Sequence, residues 1–122
     1  MTQQTFIITG AFLGMLAIIL GAFGAHALKK LLSVEQLKSF ETGVKYQMYH
    51  AIVLLLLGFN YTFSTSTMYW CFTIGILLFS FSIYGLVISD AKGKKLKVLG
   101  PITPIGGLLF VIGWANIIIN AL

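Results

Sequence analysis

Charged side chains occupy only two short stretches of this chain, and long apolar runs fill the rest. Residues 1–28 carry no charged side chain, and residues 46–89 form a second uncharged run of 44 residues. A helix needs about 20 apolar residues to cross the hydrocarbon of a bilayer, so the second run must fold back, and the polar residues 64–67 provide the break. The pattern predicts four spans, over residues 6–28, 47–63, 68–88 and 102–121.

The segment between the first two spans has a different pattern. Ser33 and Gln36 have the spacing of a capping box, which satisfies free backbone N–H groups at the start of a helix. Apolar and charged side chains then follow at helical spacing, with Glu41 and Lys45 as a favourable i,i+4 pair. These features predict a short amphipathic helix over residues 33–45, lying along the membrane interface. The expected fold is all-α: one integral membrane domain, residues 1–122, built as a four-helix bundle with this interfacial helix between spans 1 and 2.

Composition excludes the other classes of protein. Of the 122 residues, 58% are hydrophobic and 9% are charged, whereas soluble domains carry about 25% charged residues; the mean hydropathy is +0.97. Cys71 is the single cysteine, so no disulfide forms within the chain. A cleaved signal peptide is the alternative interpretation of the first run, because Ala25-His26-Ala27 resembles a cleavage site. It is disfavoured because the lysines follow this run instead of preceding it.

The charges predict an orientation. Eight lysines and three acidic residues give a net charge of +5, a balance that can indicate nucleic-acid binding. The lysines, however, lie only within residues 29–45 and 92–97, at the ends of apolar spans, where they mark topology or contact anionic lipid headgroups. We therefore expect no nucleic-acid partner. Both lysine segments fall on one side of a four-span bundle, which is the cytoplasmic side by the positive-inside rule, so both termini are predicted to lie outside the cytoplasm.

Small residues recur along the first span. Gly10 and Gly14 form a GxxxG pair, and the four-residue spacing continues through Ala17, Gly21 and Ala25. Helices in lipid associate where small residues allow their backbones to approach. The fourth span offers candidate partners at Gly106, Gly107 and Gly113. The stripe predicts helix packing, either within the chain or between the copies of a homo-oligomer.

Polar side chains that are unusual inside spans collect towards the lysine side of this topology. The candidate cluster consists of His26, Gln47, Tyr49, His50, Tyr84 and Thr103. The two histidines, Tyr84 and Thr103 are expected within roughly 10 Å of the interface, from the 1.5 Å rise per residue. An ionisable group inside a span is a functional hypothesis, here a bound ligand or a proton path. The alternative is that these side chains anchor the helices at headgroup level or tie them together.

The sequence contains no pattern typical of catalysis. It lacks the Gly-x-Ser-x-Gly nucleophile elbow, the P-loop and the dinucleotide-binding motif. Zinc sites need three or four ligands, and haem ligation by His26 and His50 is a weak alternative because it rests on two histidines alone. We therefore expect no catalytic residues, no metal and no cofactor, and we expect that the protein is not an enzyme.

Three ordered motifs support a resemblance that covers nearly the whole chain. They are GAFGAHAL at residues 21–28, FETGVKYQMYHA at residues 40–51, and ITPIGG at residues 102–107 followed by Gly113-Trp114. They resemble the YgdD/YwdK-like family of small bacterial inner-membrane proteins of unassigned function, which is related to small eukaryotic transmembrane proteins. The resemblance implies a multi-span inner-membrane protein and supplies no activity, substrate or cofactor. Phe81 departs from the family pattern, which has a glycine there, so a tight backbone contact at that point is in doubt.

Two functional hypotheses follow. In the first, the protein is a non-enzymatic structural or interaction protein that associates with itself, with membrane lipid or with a membrane-protein partner. In the second, it transports or senses a small solute or a proton through the polar cluster. The second hypothesis requires that His26 and His50 face the bundle interior and border a water-accessible cavity.

Overall fold

A computed structural model describes residues 2–122, with the exception of the Ala25 side chain, so that member of the small-residue stripe lies outside the described residues. The described residues form four α-helices and no strand, which confirms the all-α prediction. The helices are α1 (Gln3–His26), α2 (Val34–Phe59), α3 (Ser66–Ala91) and α4 (Ile102–Ala121), with short 3₁₀ turns at Leu28–Lys30 and Lys97–Leu99. Helix α4 has the bounds predicted for the fourth span. The predicted break over residues 64–67 is displaced, because α2 ends at Phe59 and α3 begins at Ser66, so that residues 60–65 form the turn.

Three of the helices begin at a side-chain cap. Thr2 accepts a hydrogen bond from the backbone N–H of Thr5, and Thr65 accepts one from Met68. The predicted capping box of α2 is confirmed, because Ser33 accepts from the N–H of Gln36 while the Gln36 side chain accepts from the N–H of Ser33. These local contacts satisfy N–H groups that the helix itself leaves unpaired.

The structure differs from the sequence prediction over residues 33–45. The segment is not a separate interfacial helix, because α2 runs without interruption from Val34 to Phe59 and joins residues 34–45 to residues 47–59 of the predicted second span. No proline interrupts the helix, and a 26-residue helix is about 39 Å long, which exceeds a hydrocarbon thickness of about 30 Å. The amphipathic part is thus the first turns of α2. Its apolar face is only partly used: Phe40 is buried, whereas Val34 is 85% exposed.

The central pair of the bundle is α2 and α3, with α1 packed on α2 and α4 packed on α3. Helix α1 runs antiparallel to α2, because Gln3 contacts Gly58 and Gly24 faces Phe40. Helix α3 also runs antiparallel to α2, because the two are joined by a short turn and Gly43 faces Tyr84. Helices α1 and α3 therefore run in the same direction, and a hydrogen bond of 2.7 Å joins the hydroxyls of Thr9 and Tyr69 near their N-terminal ends. If α1 and α3 both cross the bilayer, the chain between them must cross it as well, and α2 is the segment that does so.

The two ends of the bundle differ in what they contain. Gln3 donates to the carbonyl of Gly58, and Asn120 donates to the carbonyl of Phe63, so both termini and the α2–α3 turn share one end. All eight lysines except Lys38 and Lys45, which lie within the first half of α2, are in the connections at the other end. We call this the lysine end.

The outward faces of the outer helices are apolar. Three helical segments are long and apolar enough to cross a membrane, Gln3–Gly24, Ser66–Ala91 and Lys97–Ala121. Large side chains on α1 and α4 point away from the bundle and are exposed by more than half, including Ile8, Ile18, Leu108 and Val111. Continuous apolar surface of this kind is rare on soluble monomers and suits contact with lipid.

Glycines bring the helices together at specific points. A Cβ atom built on Gly10 would lie 2.9 Å from the carbonyl oxygen of Ala51, one on Gly106 would lie 2.8 Å from the backbone carbon of Leu78, and one on Gly113 would lie 2.8 Å from the Phe72 ring. The equivalent atoms on Gly14, Gly21 and Gly107 would find their nearest neighbours at 3.8, 3.4 and 3.7 Å, which are ordinary contacts. The predicted small-residue positions therefore separate into close approaches and ordinary packing between helices of the chain.

Candidate functional site

Gln47 is the centre of a polar connection among three helices. The Tyr84 hydroxyl on α3 donates to Gln47 Oε1 at 2.7 Å, and Gln47 Nε2 donates to the Leu13 carbonyl of α1 at 2.8 Å. Gln47 is completely buried and Tyr84 is 8% exposed. Both the acceptor and a donor of the amide thus have partners, and the contact ties α1, α2 and α3 at one level.

A glycine on α2 allows Tyr84 to reach this position. A Cβ atom on Gly43 would lie 2.7 Å from the Tyr84 ring, so a larger residue would displace that ring. The Gly43 carbonyl accepts a hydrogen bond of 2.7 Å from the hydroxyl of Ser80, which is fully buried. Ser80 therefore reinforces the α2–α3 contact directly beside the Gln47–Tyr84 pair.

His50 forms a second buried connection, between α2 and α4. The Trp114 indole N–H donates to His50 Nε2 at 3.1 Å, and His50 Nδ1 lies 2.7 Å from the Tyr46 carbonyl. Because an indole nitrogen is only a donor, Nε2 must accept, and Nδ1 carries the proton that it donates to Tyr46. The imidazole stacks on Phe110, with ring centroids 3.7 Å apart and planes at 2°. His50 is thus held as the neutral tautomer with both nitrogens paired.

The depth of His50 differs from the expectation of a place near the lysine-side interface. Phe110, on which it stacks, is the ninth residue of α4, so it lies about 12 Å along the axis from the start of that helix. His50 is therefore near the middle of the span. The reason is that α2 begins at Val34, well before residue 47, and is consequently shifted relative to α4.

Thr103 makes a third connection, while the remaining two members of the predicted cluster stay apart. The Thr103 hydroxyl is hydrogen-bonded to the hydroxyl of Ser82, which joins α3 and α4. Tyr49 is 52% exposed, and its ring contacts Tyr46 with centroids 5.8 Å apart. His26 is the exposed last residue of α1. Within the described part of the chain, no hydrogen bond or ring contact joins His26 to His50, so the two histidines do not share a site.

A cleft of about 550 Å³ opens at the lysine end, between the first turns of α2, the last turns of α3 and the start of α4. Its polar side carries Glu35, Gln36, Ser39, Asp90, Lys95 and Thr103, and its apolar side carries Ile83, Leu86, Val87 and Pro104. Of the residues predicted as a cluster, Thr103 alone lines it. The sequence contained a partial signal for this site, the capping box beside Glu35, but no pattern placed that segment opposite Asp90.

A hydrogen bond shapes one wall of the cleft. Gln36 Nε2 donates to Asp90 Oδ2 at 2.9 Å while Gln36 Oε1 completes the capping box of α2. One side chain therefore joins the start of α2 to the end of α3. Across the residues that the structure describes, no group of three or more His, Cys, Asp and Glu side chains could hold a metal ion.

Comparison with known proteins gives the family and no activity. Residues 20–107 match the family model described as "Protein of unknown function (DUF423)". A Staphylococcus aureus protein named as a UPF0382 membrane protein is 45% identical over 120 residues, covering 96% of this chain and 94% of its own length. The UPF0382 membrane protein YwdK of Bacillus subtilis is 40% identical over 124 residues, covering 98% of this chain and 97% of its own.

A third relative, from Staphylococcus saprophyticus, is 39% identical over 121 residues and is also named as a UPF0382 membrane protein. No solved structure matches the chain. The resemblance to YwdK-like proteins is thus confirmed over almost the full length, as is the expectation of a membrane protein. The apolar helices agree with those names, and this chain belongs to the DUF423 family, known among its relatives as the UPF0382 membrane proteins.

Proposed function

We propose that the protein is a non-enzymatic binding protein of the bacterial inner membrane, and that it holds membrane lipid in the cleft at its lysine end. This proposal is carried by one observation: polar side chains inside the bundle have hydrogen-bond partners, whereas a cleft is open at the lysine end. Gln47, His50 and Ser80 each have hydrogen-bond partners inside the bundle, whereas the cleft presents polar and apolar walls to the surroundings.

The paired interior argues against chemistry there. Among the described residues, the Thr73 hydroxyl is the one buried side-chain polar atom without a partner. Hydrogen bonds between membrane helices contribute about 0.6 kcal/mol each, which is the scale of a structural tie. A reacting group needs a vacant donor or acceptor beside a space for substrate, whereas Gln47, His50 and Ser80 are engaged by groups of the neighbouring helices.

The glycine geometry favours lipid over a second copy as the main associate. Gly10 approaches Ala51, and Gly106 approaches the α3 backbone, so these small residues are used within one chain. The exposed face of α1 carries bulky side chains such as Ile8, Phe12 and Ile18. Membrane helices associate best through small residues, and bulky apolar side chains are suited to acyl chains.

Retention of lipid by the purified protein tests the proposal. Native mass spectrometry of protein extracted in a mild detergent should show phospholipid adducts that survive removal of the detergent. Ser39→Trp, which fills the cleft from an exposed position on α2, should remove most of them. Thr67→Trp, at an exposed position in the first turn of α3 at the opposite end, is the matched control and should retain them. Equal adducts in both variants would show that the lipid binds elsewhere.

The proposed orientation has its own test. Six lysines lie in the connections at the lysine end, so the positive-inside rule places that end in the cytoplasm. In a Cys71→Ala background, a membrane-impermeant maleimide added to spheroplasts should label Leu122→Cys and should reach Lys94→Cys only after permeabilisation. Labelling of Lys94→Cys in sealed spheroplasts would reverse the orientation.

A second candidate function is movement of a proton through the bundle. His26 is exposed at the end of α1 and does not meet the condition set for it, so the buried position of His50 is the observation that favours this function. It differs from binding in a measurable way. Proteoliposomes with an internal pH dye should show no flux above protein-free vesicles if the protein only binds lipid. A flux that Trp114→Phe or His50→Phe abolishes would instead establish the transport function.

A further inference from the structure

We propose that the cleft at the lysine end selects a phospholipid whose headgroup carries a primary ammonium, as in phosphatidylethanolamine. This inference rests on the proposed function and adds the class of lipid. It is argued from the charges of the cleft, from the way that one carboxylate is held, and from the apolar wall beside them.

The charge of the cleft is opposite to that of the chain. The chain has three acidic residues and eight lysines. Two of the three acids, Glu35 and Asp90, line the cleft, together with a single lysine, Lys95. The lining therefore carries a net negative charge at the end of a protein that is otherwise positive. A cationic group would be attracted to the two carboxylates, whereas a purely anionic headgroup would be repelled by them.

Asp90 is held in place before any ligand arrives. Its Oδ2 accepts a hydrogen bond from Gln36 Nε2, and the Oε1 atom of the same amide accepts one from the backbone N–H of Ser33. A carboxylate offers about four acceptor positions, and Gln36 fills one. The others can accept from an ammonium, which has three N–H donors, and such charge-assisted hydrogen bonds are stronger than neutral ones.

The remaining walls favour a lipid over a small soluble amine. Ile83, Leu86 and Pro104 form an apolar side next to the carboxylates. The α3 part of this wall lies at the end of the uncharged run over residues 46–89, which is where hydrocarbon gives way to headgroups. A bound phospholipid would place its glycerol and upper acyl chains on this side, its phosphate towards Lys95 and its ammonium towards Glu35 and Asp90.

Lipid titration of the purified protein tests the selectivity. The full chain, in a neutral detergent, is titrated with dioleoyl phosphatidylethanolamine, phosphatidylcholine or phosphatidylglycerol, and binding is followed by native mass spectrometry. We expect about tenfold tighter binding of phosphatidylethanolamine than of phosphatidylglycerol, the effect of one or two charge-assisted hydrogen bonds. Phosphatidylcholine, whose quaternary ammonium has no N–H donor, should lie between them.

The three acidic residues provide matched variants. Glu35→Gln and Asp90→Asn should each reduce the preference for phosphatidylethanolamine to about twofold or less, and Asp90→Asn retains a side-chain oxygen that can accept from Gln36. Glu41→Gln removes the same charge from a position outside the cleft and should leave the preference unchanged. Equal thermal unfolding of the three variants confirms that they are folded.

Three results would overturn the inference. One is a preference for phosphatidylglycerol, which would mean that Lys95 binds the phosphate and that the carboxylates do not contribute to selectivity. Another is a loss of preference in Glu41→Gln as large as that in Glu35→Gln, which would indicate that the net charge of the protein determines the preference and that the cleft does not. The third is competition by soluble glycerophosphoethanolamine at the concentration at which the lipid binds, which would show that the acyl chains add nothing.

These results are separable from failure of the proposed function. Lipid that binds in the cleft without preference, and is removed by Ser39→Trp, would reject the selectivity while the binding function stands. Absence of any retained lipid would reject both.

Discussion

The middle of this bundle and its lysine end differ in how closely the helices pack and in whether polar side chains are buried or exposed. In the middle, glycines let backbones touch, and the buried side chains of Gln47, His50 and Ser80 have hydrogen-bond partners on neighbouring helices. At the lysine end a cleft of about 550 Å³ opens between α2, α3 and α4, and the Gln36 side chain of α2 is hydrogen-bonded to Asp90 of α3 along one wall. The middle is organised for rigidity, whereas the end retains an accessible surface with charge.

The comparison also separates two kinds of polar residue in a membrane protein. Polar groups in the middle, such as Ser80 on the Gly43 carbonyl, are buried and are satisfied by neighbouring helices. Polar groups at the end, such as Glu35, are exposed and lie beside an open space. A substitution in the middle should therefore cost stability, and one at the end should change binding with little cost in stability.

The largest expected effect is at the α3–α4 contact. Gly106→Ala places a Cβ atom 2.8 Å from the Leu78 backbone carbon, and since backbone cannot move aside, we expect a loss of about 2 kcal/mol in the free energy of unfolding. Gly107→Ala is the control: its nearest neighbour would lie at 3.7 Å, and alanine has the higher helix propensity. Unfolding in mixed micelles, followed by helical circular dichroism, measures both. Equal losses would refute the close contact.

A similar pair distinguishes positions on α1. Gly10→Ala brings a Cβ atom 2.9 Å from the Ala51 carbonyl oxygen and should cost about 1.5 kcal/mol. Gly14→Ala, with its nearest neighbour at 3.8 Å, should be neutral or slightly stabilising. The same unfolding assay applies. If Gly14→Ala were the more damaging variant, the close approach of Gly10 to Ala51 would be contradicted.

The next effect concerns the buried amide. Tyr84→Phe removes the donor to Gln47 Oε1 and leaves a fully buried oxygen unpaired, which should cost about 1 kcal/mol of unfolding free energy. Tyr49→Phe makes the same chemical change on a ring that is 52% exposed and should fall within about 0.5 kcal/mol of the parent. An equally small effect in both would mean that Gln47 finds another donor.

The smallest effect is expected at the lysine end. Gln36→Ala removes one half of the capping box and the bond to Asp90, and both contacts are exposed, so the loss of stability should be about 0.5 kcal/mol. Ser39→Ala, on the same wall of the cleft, should leave stability unchanged. Lipid retention should nevertheless fall in Gln36→Ala, because Asp90 loses its support. A stability loss as large as that of Gly106→Ala would end the distinction between the two regions.

Local signals located the helices but could not set their relative rotation. The capping box of Ser33 and Gln36 indicated where α2 begins. The apolar span predicted from residue 102 indicated where α4 begins. Both signals are contained within a few helical turns. The same reading treated residues 33–45 as a separate helix, because charge pattern alone does not show that a helix continues through it.

The candidate site was predicted in its residue types and only partly in its arrangement. Gln47, Tyr84, His50 and Thr103 proved to be interhelical contacts, and His26 and Tyr49 remained outside them. His50 and its partner Trp114 are 64 residues apart in the sequence, and no local pattern pairs them. Long-range pairs of this kind depend on how whole helix surfaces fit, and no short segment contains that information.

By itself the sequence determined that this chain is a helical membrane protein and that most of its lysines lie at one end of the bundle. These features follow from hydropathy, capping and charge, which are properties of consecutive residues. The tertiary structure alone decided that Gly106 rather than Gly107 touches its neighbour, that His50 lies at mid-depth, and that Glu35 and Asp90 share a cleft. Those outcomes follow from the rotation and offset of packed helices, which the complete set of contacts sets jointly.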